Sequence, residues 1–444
     1  MKQIKKIKGV NLGGWLVLEK WMDEMPFKNT YAEDETWLAR ELSHDELKAR
    51  LTKHRDTFIT EKDFKIISGK YGLNTVRIPV PYFIFGDREP FIGCIEYLDK
   101  AFDWADKYGL KIIIDLHTAP LGQNGYDNGG ILGVCKFHTN PEEVAFVISV
   151  LKRLAKRYGR RKALFGIEVL NEPIGKLAFA TSPTKGSAKD KKEAHGSEGI
   201  PVSFLKQFYI DGYNAIREYL PLSKAVIFHD SFRLDVWRDF FVRNNMKNVY
   251  LDAHFYLSAM EGFIPFHNKK FLSVINALNP FKSVNKSKEN GLSRDFMQST
   301  SNIAPYNSLF YHKIYMAVEK LRIKLAGMHT PLIIGEWSIS VSYANDAIYF
   351  CWDKVNKILG TDYSEEELIE AYKKNASVKR IVNREMRKRY RQIYKMQTYI
   401  WNRTAGNIYW SYKVVDDRSH PENMQWKKAW DYRRCKKNGW IGRV

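Results

Sequence analysis

The chain is poor in features that would assign it to a specialised class of protein. Its 444 residues hold only 4 cysteines, and Cys94, Cys135, Cys351 and Cys435 form no C-x-x-C pair. This pattern excludes a disulfide framework and a cysteine metal centre, and it favours a reducing compartment. No run approaches the ~20 apolar residues of a membrane span. No leader pattern precedes the first predicted strand, so we expect a cytoplasmic protein, although a secreted one that had lost its leader would look the same.

Acidic residues are scarce relative to basic ones. Lys and Arg number 71 against 50 Asp and Glu, which gives a formal net charge of +21. Such a charge favours anionic partners. No nucleic-acid-binding signature accompanies it, so we expect no nucleic acid, and an anionic ligand remains the alternative. The densest basic block, 365–403, is typical of a solvated helix face.

Apolar residues are abundant, at 44% of the chain, and they are arranged in a repeat. Eight short apolar runs predict strands at 7–12, 74–78, 111–116, 165–170, 224–229, 249–254, 331–335 and 407–412. Amphipathic stretches between them predict helices, including 96–109, 141–159, 202–220 and 311–327. This repeat predicts one α/β domain over 1–444, a single (β/α)8 TIM barrel. A doubly wound sheet is the alternative, but "NLGGWLVLEKW" (11–21) matches its glycine-rich phosphate loop poorly.

Three stretches interrupt the repeat and are interpreted as insertions. Residues 176–201 are rich in Gly, Ser and Lys, 257–303 mix Pro, Asn and Ser with aromatic residues, and 340–396 include most of the basic block. The first two follow predicted strands four and six. We therefore expect them on the C-terminal face of the barrel, where long loops shape a cleft.

Arg77 is predicted to end the second strand. Other polar or aromatic side chains stand at or just after the ends of the third, fourth, sixth, seventh and eighth predicted strands. Together with Arg77 they are His117, Asn171, Glu172, His254, Tyr256, Glu336 and Trp410. A barrel directs its strand ends into one bowl, so we expect these residues to share a site. The alternative is a buried ion-pair network that staples the barrel, but such networks do not gather preferentially at the C-terminal ends.

Glu172 and Glu336 are the candidate catalytic pair. Two carboxyl groups ~5–5.5 Å apart permit retaining glycoside hydrolysis, with one as acid/base and the other as nucleophile. The acid needs a raised pKa, and the nucleophile must stay ionised. We expect Arg77 and Tyr256 to donate to Glu336, and His254 to neighbour Glu172.

Other residues have expected supporting roles in this chemistry. The amide of Asn171 suits a sugar 2-hydroxyl, and Trp410 offers a flat floor for a pyranose ring. Glu168 lies two pleats deeper than Glu172 and is expected to be a core carboxylate paired with a cation. The mechanism requires no metal or cofactor, and no ligand cluster in the sequence predicts one.

The motifs "LNEP" (170–173) and "GEW" (335–337), with the other strand-end residues, resemble glycoside hydrolase family 5, a family of retaining (β/α)8 glycosidases. All eight positions that define that family's active site have a matching residue, and the resemblance spans roughly 8–440. It implies that Glu172 is the acid/base and Glu336 the nucleophile. It also implies a cis peptide between Trp410 and Ser411.

Within that family, the likeness is greatest to the fungal-type exo-β-1,3-glucanases. It rests on "GVNLGGWLVLEKW" (9–21), "VRIPVPYFIFGD" (76–87), "DLHTAPLGQNGYDNGG" (115–130) and "GIEVLNEPIG" (166–175). The resemblance implies that Glu19, Asp127 and Asn128 hold the non-reducing-end glucose and that Tyr126 lines the aglycone entrance. A second entrance aromatic would fall near Ala259, so that clamp is absent or rebuilt from 257–303.

The sequence therefore predicts a retaining β-glycoside hydrolase that removes glucose from the non-reducing end of short β-glucans, with β-1,3 linkages favoured. Its expected partner is an oligosaccharide or glycoside substrate. One alternative is the same chemistry acting on a different β-glycoside, which could have another linkage or be a glycolipid or an anionic glycoside. Another is a transglycosylase, which transfers the glucosyl group to a second sugar. A barrel that binds carbohydrate without turnover is a more distant alternative.

Overall fold

Eight parallel strands close into a barrel in chain order. The computed structural model describes residues 6–261, 312–341, 355–415 and 428–442. The strands are β1 (Ile7–Asn11), β2 (Thr75–Val80), β3 (Lys111–Leu116), β4 (Leu164–Glu168), β5 (Ala225–His229), β6 (Val249–His254), β7 (Leu332–Trp337) and β8 (Gly406–Tyr409). Ile7 pairs with Gly406 and closes the barrel. The predicted (β/α)8 barrel is confirmed.

Helices surround the strands. The longer ones are Glu35–Glu41, His44–Phe58, Ile95–Tyr108, Pro141–Tyr158, Val202–Arg217, 312–326, Glu365–Lys374, Ala376–Trp401 and Tyr432–Lys437. Glu61–Lys65 is a helix of five residues. Shorter turns of helix cover Lys176–Ala180, Lys191–Ala194, Phe240–Arg243, Leu257–Glu261 and 355–359. Each of the four predicted helical stretches coincides with one of these helices to within three residues at either end. Within the described ranges, no helix combines the length and apolarity that crossing a bilayer requires.

The strands divide their side chains between two cores. In β2, Val76, Ile78 and Val80 face the helices and join the large outer core. Inside the barrel, a separate apolar cluster fills the N-terminal half, and its fully buried members are Ile7, Ile113, Ala225, Ile227, Ile333 and Ile408. Each buried aliphatic side chain of this size contributes ~1.5–3 kcal/mol. The C-terminal half of the interior is polar, and that half forms the site.

Irregular register on both sides of β7 directs Glu336 toward the barrel interior. The β6–β7 register shifts between Ala253 and His254, so that His254 pairs with Glu336. The β7–β8 register shifts after Ile334. Strict alternation from Ile333, which lies in the inner cluster, would turn Glu336 outward. The irregular pairing reverses that orientation, a common device beside active sites.

Four strand ends differ from the prediction by two residues or more. The strand predicted to end at residue 335 continues to Trp337, and the strand predicted to end at residue 412 ends at Tyr409. The sequence predicted that Arg77 ends the second strand, but β2 continues to Val80 and Arg77 is its third residue. The fourth strand was predicted to reach residue 170, but β4 ends at Glu168. The reason is that parallel strands end where their ladder partners end, and a local pattern does not contain that information. Glu172 consequently stands on a loop.

The three predicted insertions differ in where they lie and in how much of each the structure describes. Residues 176–201 cover the loop after β3, where the Phe179 ring would lie 2.7 Å from a Cβ placed on Gly125. Of 257–303, only 257–261 lie within the described residues. The part of 340–396 from Ala376 onward belongs to the helix that precedes β8, and Gln397 in that helix donates to the carbonyl of Ser338 at 2.9 Å. That part is an ordinary member of the strand–helix repeat.

Candidate active site

Arg77 lies at the centre of the polar half of the barrel and is fully buried. Its Nε donates to Glu168 Oε2 at 2.8 Å, and its Nη1 donates to Glu336 Oε1 at 2.8 Å. Its Nη2 donates to the side-chain oxygen of Asn171 at 2.8 Å and lies 3.1 Å from Asp115 Oδ2. Burial opposes the charged form, but these carboxylates raise the pKa of Arg77 well above its usual value. Arg77 is thus a permanent cation that orients Glu336 and Asn171 together.

A buried ion-pair network therefore exists, and the glutamate pair stands on its upper edge. Glu168 pairs with Arg77, as predicted for a core carboxylate. Burial raises the pKa of Glu168 well above its usual range, against the opposing Arg77. Asp252 joins the network by accepting the backbone N–H of Gly335 at 2.6 Å. A Cβ on Gly335 would lie 1.9 Å from Asp252 Oδ2, so this position requires glycine.

Glu336 is held through both of its carboxylate oxygens. Oε1 accepts from Arg77, and Oε2 accepts from the hydroxyl of Tyr256 at 2.7 Å. These are the two donors that the sequence predicted for this carboxylate. The side chain is almost completely buried, so its orientation is fixed by protein donors instead of water.

Glu172 stands on the loop after β4 with φ of 42°, in the left-handed region that glutamate rarely occupies. Its Oε1 lies 2.7 Å from His254 Nδ1, and its Oε2 accepts from the amide of Asn128 at 3.2 Å. The loop after β5 supports this backbone, because the Ser231 hydroxyl donates to the carbonyl of Pro173 at 2.6 Å. His254 is the neighbour that the sequence predicted for Glu172.

One imidazole nitrogen contacts both glutamates. His254 Nδ1 lies 2.7 Å from Glu172 and 3.5 Å from Glu336 Oε2. The distance between these two carboxylate oxygens cannot exceed the sum of the two contacts. That sum is shorter than ~6.5 Å, the smallest separation of the carboxyl groups in inverting pairs. Glu172 Oε1 and Glu336 Oε2 are therefore closer together than the carboxyl groups of inverting pairs, which is consistent with a retaining pair.

The pKa directions of the two glutamates are the reverse of those that the sequence predicted. Burial opposes ionisation of Glu172, but hydrogen bonding to His254 and Asn128 lowers its pKa. Burial raises the pKa of Glu336 against the opposing His254 and Arg77. Burial also opposes a charged His254, yet the Glu336 and Asp252 carboxylates raise its pKa well above the usual value. These pKa directions favour a proton on His254, next to an ionised Glu172.

Asn171, His117 and Trp410 form another part of the bowl, next to Arg77. Because the Asn171 oxygen accepts from Arg77, its amide N–H groups point away from the arginine, and its Nδ2 lies 3.5 Å from His117 Nε2. His117 Nδ1 lies 2.5 Å from Asp115 Oδ2. The rings of His117 and Trp410 are stacked, with centroids 5.6 Å apart. The peptide between Trp410 and Ser411 is cis, as the resemblance implied.

Glu19, Tyr126, Asp127 and Asn128 lie on two loops at one edge of the bowl. Glu19 accepts from the indole N–H of Trp21 at 2.8 Å. Burial and the nearby Asp127 carboxylate raise the pKa of Glu19 well above its usual range, and burial also raises the pKa of Asp127. Asn128 reaches Glu172, which joins this corner to the glutamate pair. The structure thus brings all twelve predicted site residues to one end of the barrel.

His229 is a site residue that the sequence analysis missed. It ends β5, is fully buried, and its ring lies 4.4 Å from that of His254. Its Nδ1 accepts the backbone N–H of Ser231 at 3.0 Å, so the ring proton is on Nε2. Burial lowers the pKa of His229 well below its usual value, and the charged His254 acts in the same direction. The sequence did contain a signal for His229, because it is a polar residue at the end of a predicted strand. The same signal located the site residues on the other strands.

Trp430 is a second site residue that the sequence analysis missed. Its ring lies 5.2 Å from that of Tyr256 and 5.6 Å from that of Trp21. Together with Trp410 and Met22, these rings form an aromatic wall beside Glu336. Trp430 follows the last strand by some twenty residues, and no strand-end or periodic signal marks it.

Among the residues that the structure describes, two groups of side chains have the close spacing of metal ligands, which the sequence did not predict. They are Glu172, His229 and His254, and Glu168, Asp252 and His254, with ligand atoms within 4.8 Å of one another. Arg77 lies 3.9 Å from Asp252, and Nδ1 of His254 is already bonded to Glu172. A permanent cation and a protonated imidazole in the same space oppose the binding of a metal cation.

The fold and this arrangement define a class: (β/α)8 barrels with a close carboxylate pair at the strand ends, supported by Arg, Asn, His and Tyr. A sequence model of one such family, Cellulase (glycosyl hydrolase family 5), matches residues 41–358, which include both glutamates. The chain belongs to glycosyl hydrolase family 5.

Individual relatives agree with this assignment. A glucan 1,3-beta-glucosidase of Schwanniomyces occidentalis is 36% identical over 270 residues, which cover 57% of each chain. Glucan 1,3-beta-glucosidase 2 of Candida albicans is 31% identical over 340 residues, covering 67% of this chain and 65% of that protein. The chain thus spans a little over half the length of most such relatives. The crystal structure of rutinosidase from Aspergillus niger shares the fold, with a TM-score of 0.61, 18% identity and coverage of 99% and 98%.

Proposed function

We propose that the protein is a retaining β-glycoside hydrolase that removes glucose from the non-reducing end of short β-glucans, with β-1,3 linkages preferred. The observation that carries the proposal is the single imidazole nitrogen of His254 that contacts both Glu172 and Glu336. The preference for β-1,3 linkages is supported by the relatives, which are glucan 1,3-beta-glucosidases at 31–37% identity.

In the proposed first step, Glu336 attacks the anomeric carbon while Glu172 donates a proton to the departing glycosidic oxygen. Arg77 and Tyr256 hold the attacking carboxylate in place. A covalent glucosyl–Glu336 ester forms, and the aglycone leaves as an alcohol. In the second step, Glu172 takes a proton from water, the resulting hydroxide breaks the ester, and β-glucose is released.

The acid proton is proposed to reach Glu172 from His254. The lowered pKa of Glu172 and the raised pKa of His254 favour a charged imidazolium beside a carboxylate before the substrate binds. A sugar that fills the bowl displaces water, and loss of solvation favours the neutral pair over the ion pair. The proton then moves from Nδ1 to the glutamate oxygen 2.7 Å away, next to the glycosidic bond.

The corner of Glu19, Asp127 and Asn128 is the proposed pocket for the terminal glucose. The raised pKa values of both carboxyl groups favour retention of a proton, so the pair can donate as well as accept hydrogen bonds. Adjacent hydroxyls of a glucose each donate and accept hydrogen bonds, so they require both donors and acceptors in the pocket. A site that forms several bonds to one sugar rejects analogues that lack a hydroxyl.

The aglycone side lacks an aromatic at Ala259, which is exposed and small. Phe232 is the proposed replacement. Its ring is 39% exposed and lies 5.0 Å from that of His229, which in turn contacts His254. On this proposal, Phe232→Ala raises KM for oligosaccharides and leaves KM for a small aryl glucoside unchanged.

The chemical assignment is tested by Glu336→Gln on an aryl β-glucoside. The expected loss of kcat is on the order of 10⁵-fold, as for removal of a catalytic nucleophile. Glu142→Gln, at an exposed helix position, is the matched control and should retain activity. A 2-fluoro glucoside should also leave a sugar on Glu336, detectable by mass spectrometry. Activity that survives Glu336→Gln would reject the assignment.

The substrate assignment is tested by NMR during hydrolysis of laminari-oligosaccharides. Release of single glucose units that first appear as the β-anomer would support exo action with retention. Transfer products would point to transglycosylation, and turnover of only other linkages, glycolipids or anionic glycosides would replace the β-1,3 assignment. Binding without any turnover would reject the enzymatic function.

A further inference from the structure

Helix 312–326 presents an apolar stripe to solvent. Val318, Leu321 and Leu325 are 55%, 52% and 64% exposed. Their spacing of three and four residues puts them on one face of the helix, and half-buried Ile314 continues the line by one turn. Scattered exposed aliphatic residues are ordinary, but a continuous stripe of them on one helix marks a binding surface.

A row of lysines runs along one edge of this stripe. Lys313, Lys320 and Lys324 are exposed, and their spacing of seven and four residues also gives one line along the helix. Arg322 of the same helix is ion-paired with Glu319 at 2.8 Å. Among the described residues, no carboxylate lies within salt-bridge distance of the three lysines, so their charges face solvent.

The neighbouring helix Ala376–Trp401 extends the same surface. Tyr399 is 57% exposed, and the Lys320 ammonium lies 5.6 Å from the centre of its ring. Arg403 stacks on that ring at 3.8 Å. On the N-terminal side of Tyr399 the helix carries a line of exposed basic residues spaced three or four apart: Arg384, Arg387, Arg391 and Lys395. Of these, Arg387 and Arg391 also donate to the carbonyls of Asn438 and Gly439.

We propose that this apolar–basic surface, composed of Val318, Leu321, Leu325, Tyr399 and the three lysines, docks the protein onto an anionic phospholipid membrane. A helix that lies in a bilayer interface buries an aliphatic stripe below the headgroups and keeps its lysines at phosphate level. Tyrosine favours the same depth. The net charge of +21 adds long-range attraction to an anionic leaflet.

Two other occupants fit the surface less well. A linear polyanion such as nucleic acid would use the lysines, but it would leave the three aliphatic side chains in water. A second copy of the chain would bury the apolar stripe, but it would bring two lysine rows of like charge together. The bilayer alone satisfies the apolar stripe and the basic row at the same time.

Docking through this surface leaves the catalytic bowl open. Helix 312–326 precedes β7 and helix Ala376–Trp401 precedes β8, so both belong to the outer ring of the barrel. The bowl lies at the C-terminal ends of the strands, at right angles to that side wall. The proposal is therefore independent of the proposed hydrolytic function.

The test is flotation of the full chain with phosphatidylcholine vesicles that contain about one third phosphatidylserine. Wild type should float with them and should not float with pure phosphatidylcholine. Lys320→Glu/Lys324→Glu should weaken partitioning at least about thirtyfold, since each lysine lost near an anionic surface costs a factor of about five. Leu321→Glu/Leu325→Glu should weaken it at least about tenfold.

Matched variants separate this surface from general charge and general hydrophobicity. Lys48→Glu/Lys53→Glu makes the same charge change on helix His44–Phe58, and Leu222→Glu/Val242→Glu replaces two residues that are 62% exposed elsewhere. Both should bind vesicles within about threefold of wild type. Thermal unfolding midpoints near the wild-type value show that each variant is folded.

Three results would overturn the proposal. Equal losses in the matched variants would mean that net charge alone drives binding. Binding that falls with the lysine variant but not with the leucine variant would indicate a polyanion partner. A wild-type dimer in sedimentation, broken by Leu321→Glu/Leu325→Glu and without vesicle binding, would assign the surface to self-association.

Discussion

At the scale of single residues, His254 decides where the catalytic proton resides. It contacts Glu172, Glu336 and, at 3.6 Å, Asp252, so three carboxylates compete for one imidazole. A histidine in such surroundings keeps its proton at higher pH than free histidine does. The strand-end pattern located this residue correctly, but its charge state depends on the three contacts.

The pH dependence of kcat/KM follows from these pKa directions. Glu336 must be ionised, and its pKa is raised, so activity should fall on the acid side at a pH above the usual carboxyl value of ~4.3. The His254–Glu172 pair must hold a proton, and the His254 pKa is raised. Activity should therefore fall on the basic side only above the usual histidine value of ~6.5.

His254→Asn tests this assignment of the basic limb. The asparagine can still bond to Glu172 but carries no titratable proton, so the acid proton must reside on Glu172 alone. We expect the basic limb to move down by more than about one pH unit and kcat/KM to fall ~10²–10⁴-fold. Exposed His44→Asn should change neither. An unchanged basic limb in His254→Asn would contradict the proton path.

Asp230 makes stability fall as pH rises. Burial raises its pKa to about 7, so the folded state holds this proton more tightly than the unfolded chain does. Its stabilising contribution is complete below ~3.9 and is lost as pH rises through about 7. Asp230→Asn should therefore gain about 2–3 kcal/mol relative to wild type between about pH 5 and pH 8. Exposed Asp211→Asn is the control, and a gain of the opposite sign in thermal unfolding would refute the argument.

At the scale of elements, the loops after β1 and β8 fix the floor of the bowl together. A Cβ on Gly13 would lie 2.6 Å from Cζ2 and 2.7 Å from Cη2 of Trp410, so glycine is required for the ring to lie flat there. The irregular pairing of β7 with both of its neighbours sets the orientation of Glu336. Both features are contacts between strands far apart in sequence, and they set the geometry of the site.

Gly13→Ala tests the role of the floor. The methyl group should displace the Trp410 ring, and a shift of about 1 Å in a substrate-positioning group costs on the order of 10²-fold in kcat/KM. Gly69→Ala, where a Cβ meets nothing within 4 Å, is the matched control. Wild-type kinetics in folded Gly13→Ala would show that the ring does not position the sugar.

At the scale of the whole molecule, the net charge of +21 opposes compactness. Salt shortens the Debye length from ~30 Å at 0.01 M to ~8 Å at 0.15 M, which screens this repulsion. We expect the thermal unfolding midpoint to rise by a few degrees over that range. Charge reversal at exposed Lys48 should raise the midpoint at low salt and have little effect at high salt. A midpoint that falls with salt would show that ion pairs outweigh the repulsion.

Much of the architecture could be predicted because its signals are local. The eight strands were found from short apolar runs, and Glu172, Glu336 and Arg77 from their relation to those runs. The ends of β2, β4 and β7 were missed by two residues each and the end of β8 by three, because ladder pairing sets them. Trp430 could not be found, since it reaches Tyr256 through a loop without periodicity.

The sequence by itself determined the barrel and the two glutamates, because the hydrophobic periodicity and the ends of strands can be recognised within short segments. Only the tertiary structure decided which groups hold protons and which way Glu336 faces. Those properties depend on distances between residues far apart in the chain: Glu172 and His254 are 82 positions apart, and Arg77 and Glu336 are 259 apart. Electrostatic energy and desolvation depend on separation in space, and no local pattern contains that separation.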